Sequence, residues 1–365
     1  MLTRLERTAM KKVNAKAPGK LFIAGEYAVV EPEQPSVIVA IDRFISVTVF
    51  PVSTDFGTLH SKVLSDQPLK WTRSEKGLTF AEPAENTAIV KAAIDVAETY
   101  LTELGKPLSY YDMLIESEMV NEEGIKYGLG SSGAVTVAVI EALLNAYSVS
   151  VSDLSLYKLA SLAHLSLNSN GSFGDLAAAS FTGWIAYTRF NQKSLLPHLK
   201  KLSIKELIAR PWDQLSIEPL LPPESLSLLV GWTGTPASTE SLVSQSKSSG
   251  HDSAYSSFLE ASKACVSRLI KALKAQDSKG IMREISLNRE LLLEMAEKKS
   301  IEVETPLLHR LCKVAGDHFA SAKTSGAGGG DCGIALVPKQ FDSSLLTTDW
   351  EAEGIVPLDI TVYKK

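Results

Sequence analysis

The chain has 365 residues, of which 45% are hydrophobic and 22% charged, and a formal net charge of -5. Its length points to about two domains, and the mildly acidic balance argues against nucleic acid or an anionic membrane surface as the main partner. No apolar run reaches the ~18 residues that would span a bilayer, and residues 1–12, with Arg4, Glu6 and Arg7, lack a signal-peptide core. Cys265, Cys312 and Cys332 are an odd, widely spaced set that fits a reducing compartment better than a disulfide framework, and Cys and His show no metal-ligand spacing. The expected compartment is the cytoplasm.

In chain order, residues 13–17 and 21–24 read as short strands interrupted by Pro18-Gly19. Residues 37–41 and 45–49 are β-branched runs around Asp42-Arg43, which suggests a hairpin or paired strands. Residues 51–86 are polar with scattered aromatics and yield no firm element. Residues 87–104 have helical spacing and end at Gly105, a C-cap residue type. A strand over 110–115 precedes a glycine-rich loop and an apolar helix over 135–147. Asp153 is positioned to cap a further helix running to Leu167, and residues 184–189 read as a strand. Residues 191–225, with Pro211, Pro222 and Pro223, read as connection between domains.

A buried strand is expected over 226–232, followed by a turn from Gly234 to Glu240. Helices are expected over 253–275, 279–298 and 305–322, the last with Thr305 as N-cap and Pro306 at its first position. Strands over 334–337 and 360–363 close the chain. Strands and helices mix without regular βαβ alternation, which predicts an α+β protein of two domains, 10–190 and 191–365.

The loop Gly128-Leu129-Gly130-Ser131-Ser132-Gly133-Ala134 organises the rest. Its glycines allow a tight turn and close approach to a ligand, and its serines are favoured N-cap residues. A helix N-terminus offers free N–H groups and partial positive charge to a phosphate. The loop is not a Walker A sequence. It does match the dinucleotide pattern G-x-G-x-x-G, with Asp153 further on, but the preceding residues 116–126 are polar where that fold needs a hydrophobic strand. A dinucleotide-dependent oxidoreductase therefore stands as a rival reading only.

Three further segments join glycine to Lys, Ser or Asp: Pro18-Gly19-Lys20, Gly171-Ser172-Phe173-Gly174-Asp175, and the run from Ser325-Gly326 to Gly330. Phosphoryl transfer uses such parts, namely backbone donors, a cation and a positioned acceptor. The first of these segments lies within a longer one, from Ala17 to Val30, that resembles the first motif of the GHMP kinases. The loop from Gly128 to Ala134 resembles their second motif, and the segment from Lys323 to Leu336 their third. The three lie in family order and span most of the chain. Gly25-Glu26-Tyr27 departs from the Gly-Glu-His of mevalonate kinases. Together with the turn at 171–175, the segment Val230 to Thr239 and the third motif, it resembles the phosphomevalonate kinase branch.

That resemblance implies a two-domain GHMP fold with ATP and mevalonate 5-phosphate in a cleft between domains. Carried over by motif, Asp175 is the active-site carboxylate and Lys20 its cationic neighbour. Gly128, Leu129, Gly130, Ser131, Ser132, Gly133 and Ala134 would hold ATP, and Lys126, Ser172, Ser325 and Gly326, with Lys20, the acceptor. Relatives place a Mg²⁺-binding Glu eleven residues before the catalytic Asp; here that position is His164. The resemblance then leaves Mg²⁺ to ATP oxygens, water and Ser132. Read without the family, Asp175 is a turn cap and Lys20 and Lys126 are solvated lysines. Tyr27 and Trp232 read as packing residues, and Cys332 as either a buried hydrophobe or a reactive thiol. A mevalonate kinase and a non-catalytic ligand sensor of the same fold remain alternatives, and a homodimer stays open.

Overall fold

The computed structural model describes residues 10–62, 64–74, 77–82, 87–234 and 253–365. The first part of the chain forms strands β1 (Val13–Ala24), β2 (Pro35–Pro51), β3 (Gly57–Ser61), β4 (Ser65–Ser74) and β5 (Gly77–Phe80), then helix α1 (Ala88–Glu103) and strand β6 (Tyr111–Ser117). Helices α2 (Ser131–Ala146), α3 (Asp153–Ser166) and α4 (Gly174–Phe181) follow, then β7 (Trp184–Thr188), α5 (Gln192–Leu199), α6 (Ile204–Ala209) and β8 (Ser216–Leu220). The rest forms β9 (Leu226–Trp232), α7 (Ser253–Lys274), α8 (Ser278–Lys299), α9 (Pro306–Asp317), β10 (Ser321–Thr324), β11 (Cys332–Pro338), α10 (Ser343–Ala352) and β12 (Val356–Leu358). The turn expected from Gly234 to Glu240 lies, beyond Gly234, outside the described residues.

Two sheets result. The larger runs β5-β4-β3-β6-β2-β7-β8 with β1 added on β2, and the smaller runs β10-β11-β9-β12. Sheet membership changes between β8 and β9. The main core is continuous across that change, since Val266, Leu269, Ile334 and Leu336 belong to the same buried cluster as Ile38, Val137 and Leu176. No helix among the described residues is long and apolar enough to cross a membrane.

Several local expectations are corrected by long-range pairing. The two short strands at 13–24 are one strand, β1, because Pro18 falls where the register with β2 shifts. Proline's missing N–H is tolerated at such a bulge. The segments on either side of Asp42-Arg43 are likewise one long strand: residues 45–51 of β2 pair with β6 and residues 35–39 with β7. Asp42 does not turn the chain; its carboxylate accepts from the Thr361 N–H at 2.8 Å. Among the described residues, 51–86 contain strands β3, β4 and β5. The helix starting after Thr305 stops at Asp317, where Phe319 takes a left-handed φ of 58° and releases the chain into β10. Residues 360–363 make one isolated bridge, Val362 with Ile41, instead of a strand. At α3 the N-cap is Ser152, whose hydroxyl accepts from the Ser155 N–H, and Asp153 is the first helical residue.

Candidate active site

Helix α2 begins at the glycine loop, and the cap is a glycine. Gly130 is the N-cap at φ 82°, a left-handed conformation that glycine adopts without Cβ strain, and no side chain caps the helix. Ser131 and Ser132 therefore sit inside the first turn, not at the cap as their residue type suggests, with Ser132 exposed. Uncapped, the first-turn N–H groups stay free to meet an anion.

Two chemistry-bearing side chains meet above this helix end. Strand β1 delivers Lys20, whose backbone N–H donates to the Leu129 carbonyl at 2.8 Å and so ties the strand to the loop. Its ammonium lies 3.5 Å from the Gly128 carbonyl oxygen. Asp175 comes from the first turn of α4, which starts after Phe173 adopts a left-handed φ of 58°. A Cβ on Gly130 would stand 2.8 Å from Lys20 Cγ and 3.5 Å from Asp175 Cβ, so the two flank one glycine. A Cβ on Gly133 would meet Asp175 Cγ and Oδ2 at 2.6 Å. Among the described residues neither Lys20 nor Asp175 has an ion-pair partner; Asp175 Oδ1 accepts from the Leu176 N–H at 3.0 Å.

The third glycine loop closes over the same spot. Gly326 has φ 90°, and a Cβ there would lie 3.8 Å from the Lys20 ammonium nitrogen. Ser325 is buried, and its hydroxyl donates to the Phe22 carbonyl at 3.0 Å, which makes it a fastener to β1 as much as a ligand group. At the far end of the loop Asp331 packs on Gly128, with Cγ 2.2 Å from where a Cβ would be. Ser172 Oγ accepts from the Gly174 N–H at 3.2 Å, which leaves its hydrogen for another acceptor.

Lys126 is placed differently. It lies exposed at an isolated bridge with Val120, and its ammonium makes no hydrogen bond among the described residues. His164 lies within reach of the Asp175 charge: burial lowers its pKa from the usual value and that charge raises it, the burial effect being larger. Thr136 gives its hydroxyl hydrogen to the Ser132 carbonyl at 2.8 Å, so His164 Nε2, 3.0 Å from Thr136 Oγ1, is the donor in that contact. Cys332 is buried and donates to the Tyr127 carbonyl at 3.1 Å; burial, then Asp331, pushes its thiol pKa up, so it is a packed thiol and not a reactive one. Tyr27 and Trp232 are buried packing residues, and the Tyr27 hydroxyl donates to the Ala327 carbonyl.

The sequence offered no signal for two buried cations near the site. Arg189, 7% exposed, donates from Nη1 to the Val30 carbonyl at 2.9 Å and from Nη2 to Gln192, and its guanidinium stands 5.1 Å from the Phe173 ring. Lys323 is fully buried and pairs with Glu26. A single basic residue carries no pattern to read, and the Val30 carbonyl met by Arg189 and the Glu26 carboxylate met by Lys323 are remote in sequence.

The chain matches the GHMP kinases N terminal domain over residues 88–183 and the GHMP kinases C terminal domain over residues 269–355. It is 36% identical to a phosphomevalonate kinase from Streptomyces sp. (strain CL190), with 97% of this chain and 98% of that one covered. Its fold superposes on that of a Lin0012 protein from Listeria innocua with a TM-score of 0.90, at 36% identity over 97% of this chain and 98% of that one. It superposes with a TM-score of 0.85 on a Streptococcus pneumoniae phosphomevalonate kinase in complex with phosphomevalonate and AMPPNP, at 31% identity over 96% of this chain and 100% of that one. The glycine loops, the placing of Lys20 and Asp175 against Gly130 and these matches agree, and the chain belongs to the GHMP kinase family.

Proposed function

We propose that the chain transfers the γ-phosphoryl group of ATP to mevalonate 5-phosphate, giving mevalonate 5-diphosphate and ADP. The observation that carries this reading is the meeting of Lys20 and Asp175 on either side of Gly130 at the N-terminus of α2. It occurs in a chain that resembles a phosphomevalonate kinase from end to end. The same proposal divides the chain into lobes 10–190 and 191–365, with β8 of the second segment extending the large sheet.

The acceptor decides what the residues must do. A phosphate monoester has a second pKa near ~6, so at neutral pH its attacking oxygen is mostly deprotonated already. The main barrier is the approach of two anions. Residues 128–134 hold the ATP phosphates on the free N–H groups and partial positive charge of α2. The Lys20 ammonium, unpaired among the described residues, offsets repulsion between the reacting groups. Asp175 orients Lys20 and the acceptor. Ser172, Gly326 and Ser325 are assigned to the acceptor side, and exposed Lys126 is assigned to it by motif. Arg189 is a buried positive charge behind the turn at 171–175, with Gln192 linking it to the Ser169 carbonyl.

ATP chemistry implies Mg²⁺. Among the described residues no three His, Cys, Asp or Glu side chains gather as a metal cluster. The oxygen donors Ser132, in the first turn of α2, and Asp175, which packs on Gly133 of that turn from α4, nonetheless suit a hard cation held mainly by ATP phosphates. Ser132 and Asp175 are the residues that would hold it, and the bound ion would neutralise charge on the transferring phosphoryl group. Three cysteines, all free, fit a cytoplasmic protein.

A coupled ADP-release assay with mevalonate, mevalonate 5-phosphate, homoserine and galactose tests the reading. ADP release is expected with mevalonate 5-phosphate alone. Comparable turnover with unphosphorylated mevalonate would assign the chain to the mevalonate kinase reaction instead, and no turnover with any acceptor would favour a ligand sensor.

A further inference from the structure

Glu26 and Lys323 form an ion pair with both ends out of solvent, Lys323 at 0% and Glu26 at 2% exposure. The Lys323 ammonium also donates to the Thr324 carbonyl at 2.7 Å. Glu26 Oε1 accepts a second bond, from the Gly326 N–H at 3.4 Å, while Oε2 is buried with no hydrogen-bond partner among the described residues. A buried pair of this kind gives little net stability, because the desolvation of two charges roughly offsets their attraction and a well-packed apolar pair often does as well. Its position is what distinguishes it. Glu26 follows the strand that carries Lys20, and Lys323 lies in β10, two residues before the third glycine loop begins at Ser325.

Two more contacts run between the same two segments, from the Ser325 hydroxyl to the Phe22 carbonyl at 3.0 Å and from the Tyr27 hydroxyl to the Ala327 carbonyl. The loop they hold contains Gly326, Gly328 and Gly329, all at positive φ, a composition with many accessible conformations. The loop's far end is fixed by other means. Thr233 donates to the Asp331 carbonyl from its N–H at 2.9 Å and from Oγ1 at 3.0 Å. The pair acts at the near end, beside the Ser325 N–H that donates to the Cys332 carbonyl at 2.9 Å, where Gly326 faces the Lys20 ammonium. We propose that Glu26 and Lys323 are positioning residues that set the acceptor side of the site, holding Ser325 and Gly326 in register with Lys20 and leaving the ATP loop unaffected. The proposal rests on the assignment of mevalonate 5-phosphate as acceptor.

The test uses the full-length double variant Glu26→Gln/Lys323→Met, which removes both charges, and Glu26→Asp, which keeps the charge but withdraws it by roughly one C–C bond, about 1.5 Å. Wild-type turnover with mevalonate 5-phosphate is measured first; its absence overturns the functional reading and this proposal with it. With wild type active, both variants are expected to lose kcat/KM for mevalonate 5-phosphate, the double variant on the order of tenfold or more, while KM for ATP stays within about twofold. Should the double variant fail to fold, Glu26→Asp decides alone. Unchanged kcat/KM for the acceptor, or a parallel rise of both KM values, overturns the proposal and leaves the functional reading intact.

Discussion

The carboxyl group of Asp175 lies against Gly133: a Cβ built on that glycine would stand 2.6 Å from both Cγ and Oδ2 of the aspartate. Two segments more than forty residues apart thus meet at a position where only hydrogen fits. The contact sets how far Asp175 can lie from the first turn of α2, and with it the distance from the carboxylate to whatever phosphate that turn binds.

Gly133→Ala should separate stability from activity. Gly133 is helical, and Ala is favoured over Gly in a helix by ~0.5–1 kcal/mol. The carboxyl can swing away, but Asp175 Cβ, 2.8 Å from the added methyl, can move only with the backbone at the start of α4, and this offsets the gain in helix propensity. The Tm should therefore not rise, while kcat falls by on the order of 10², the usual effect of a catalytic group displaced by about 1 Å. Unchanged kcat in a folded Gly133→Ala protein would mean that the Asp175 position is not critical. Gly130→Val, by contrast, forces a side chain onto a left-handed φ of 82° and into Lys20, and should weaken ATP binding or turnover severely.

Lys20 and Asp175 should differ in how they fail. Lys20→Met removes a charge felt most in the transition state and should lower kcat by on the order of 10² to 10³. Asp175→Asn keeps the shape but removes charge and basicity. If Asp175 orients, the acidic limb of the wild-type kcat profile follows the acceptor's second ionisation near ~6, and the variant keeps that limb at lower amplitude. Profiles of both proteins at saturating substrate, with chemistry shown to be rate-limiting, decide the matter. Loss of the limb in Asp175→Asn would make the carboxylate an obligatory base.

The cysteines give a pH prediction with a definite sign. Burial pushes the thiols of Cys265 and Cys312 up to about 12, and that of Cys332 higher still. A raised folded-state pKa favours the protonated, folded form, so this contribution is fully present below the ordinary value of 9.0 and is lost as pH rises toward the folded-state values. The Tm should fall steadily from pH 8.5 to 10.5, and iodoacetamide at pH 8 should leave all three thiols of the native protein unlabelled but modify all three in urea. Rapid labelling of the native protein would show that the burial of these thiols does not protect them.

The parts legible in the chain were those whose cause is local. Helices α1, α2, α7 and α8 follow from apolar spacing within one segment, and the Thr305 cap with Pro306 behind it is a signal contained in a few residues. The glycine loops were legible too, because positive φ selects glycine whatever lies around it. Sequence motif assigned Lys20 and Asp175 to one site, and the structure sets both against Gly130. Continuity of β1 and β2 was not legible: a Pro-Gly and an Asp-Arg that read as breaks are absorbed by a bulge only because another strand runs alongside. Nor was the cap of α2, where glycine displaced the expected serine because the loop must turn under Lys20. Arg189, buried behind the acceptor turn, and the Glu26–Lys323 pair, joined across 297 residues of chain, were decided by tertiary structure alone. The partners and desolvation that give a buried charge its meaning come from segments remote in sequence.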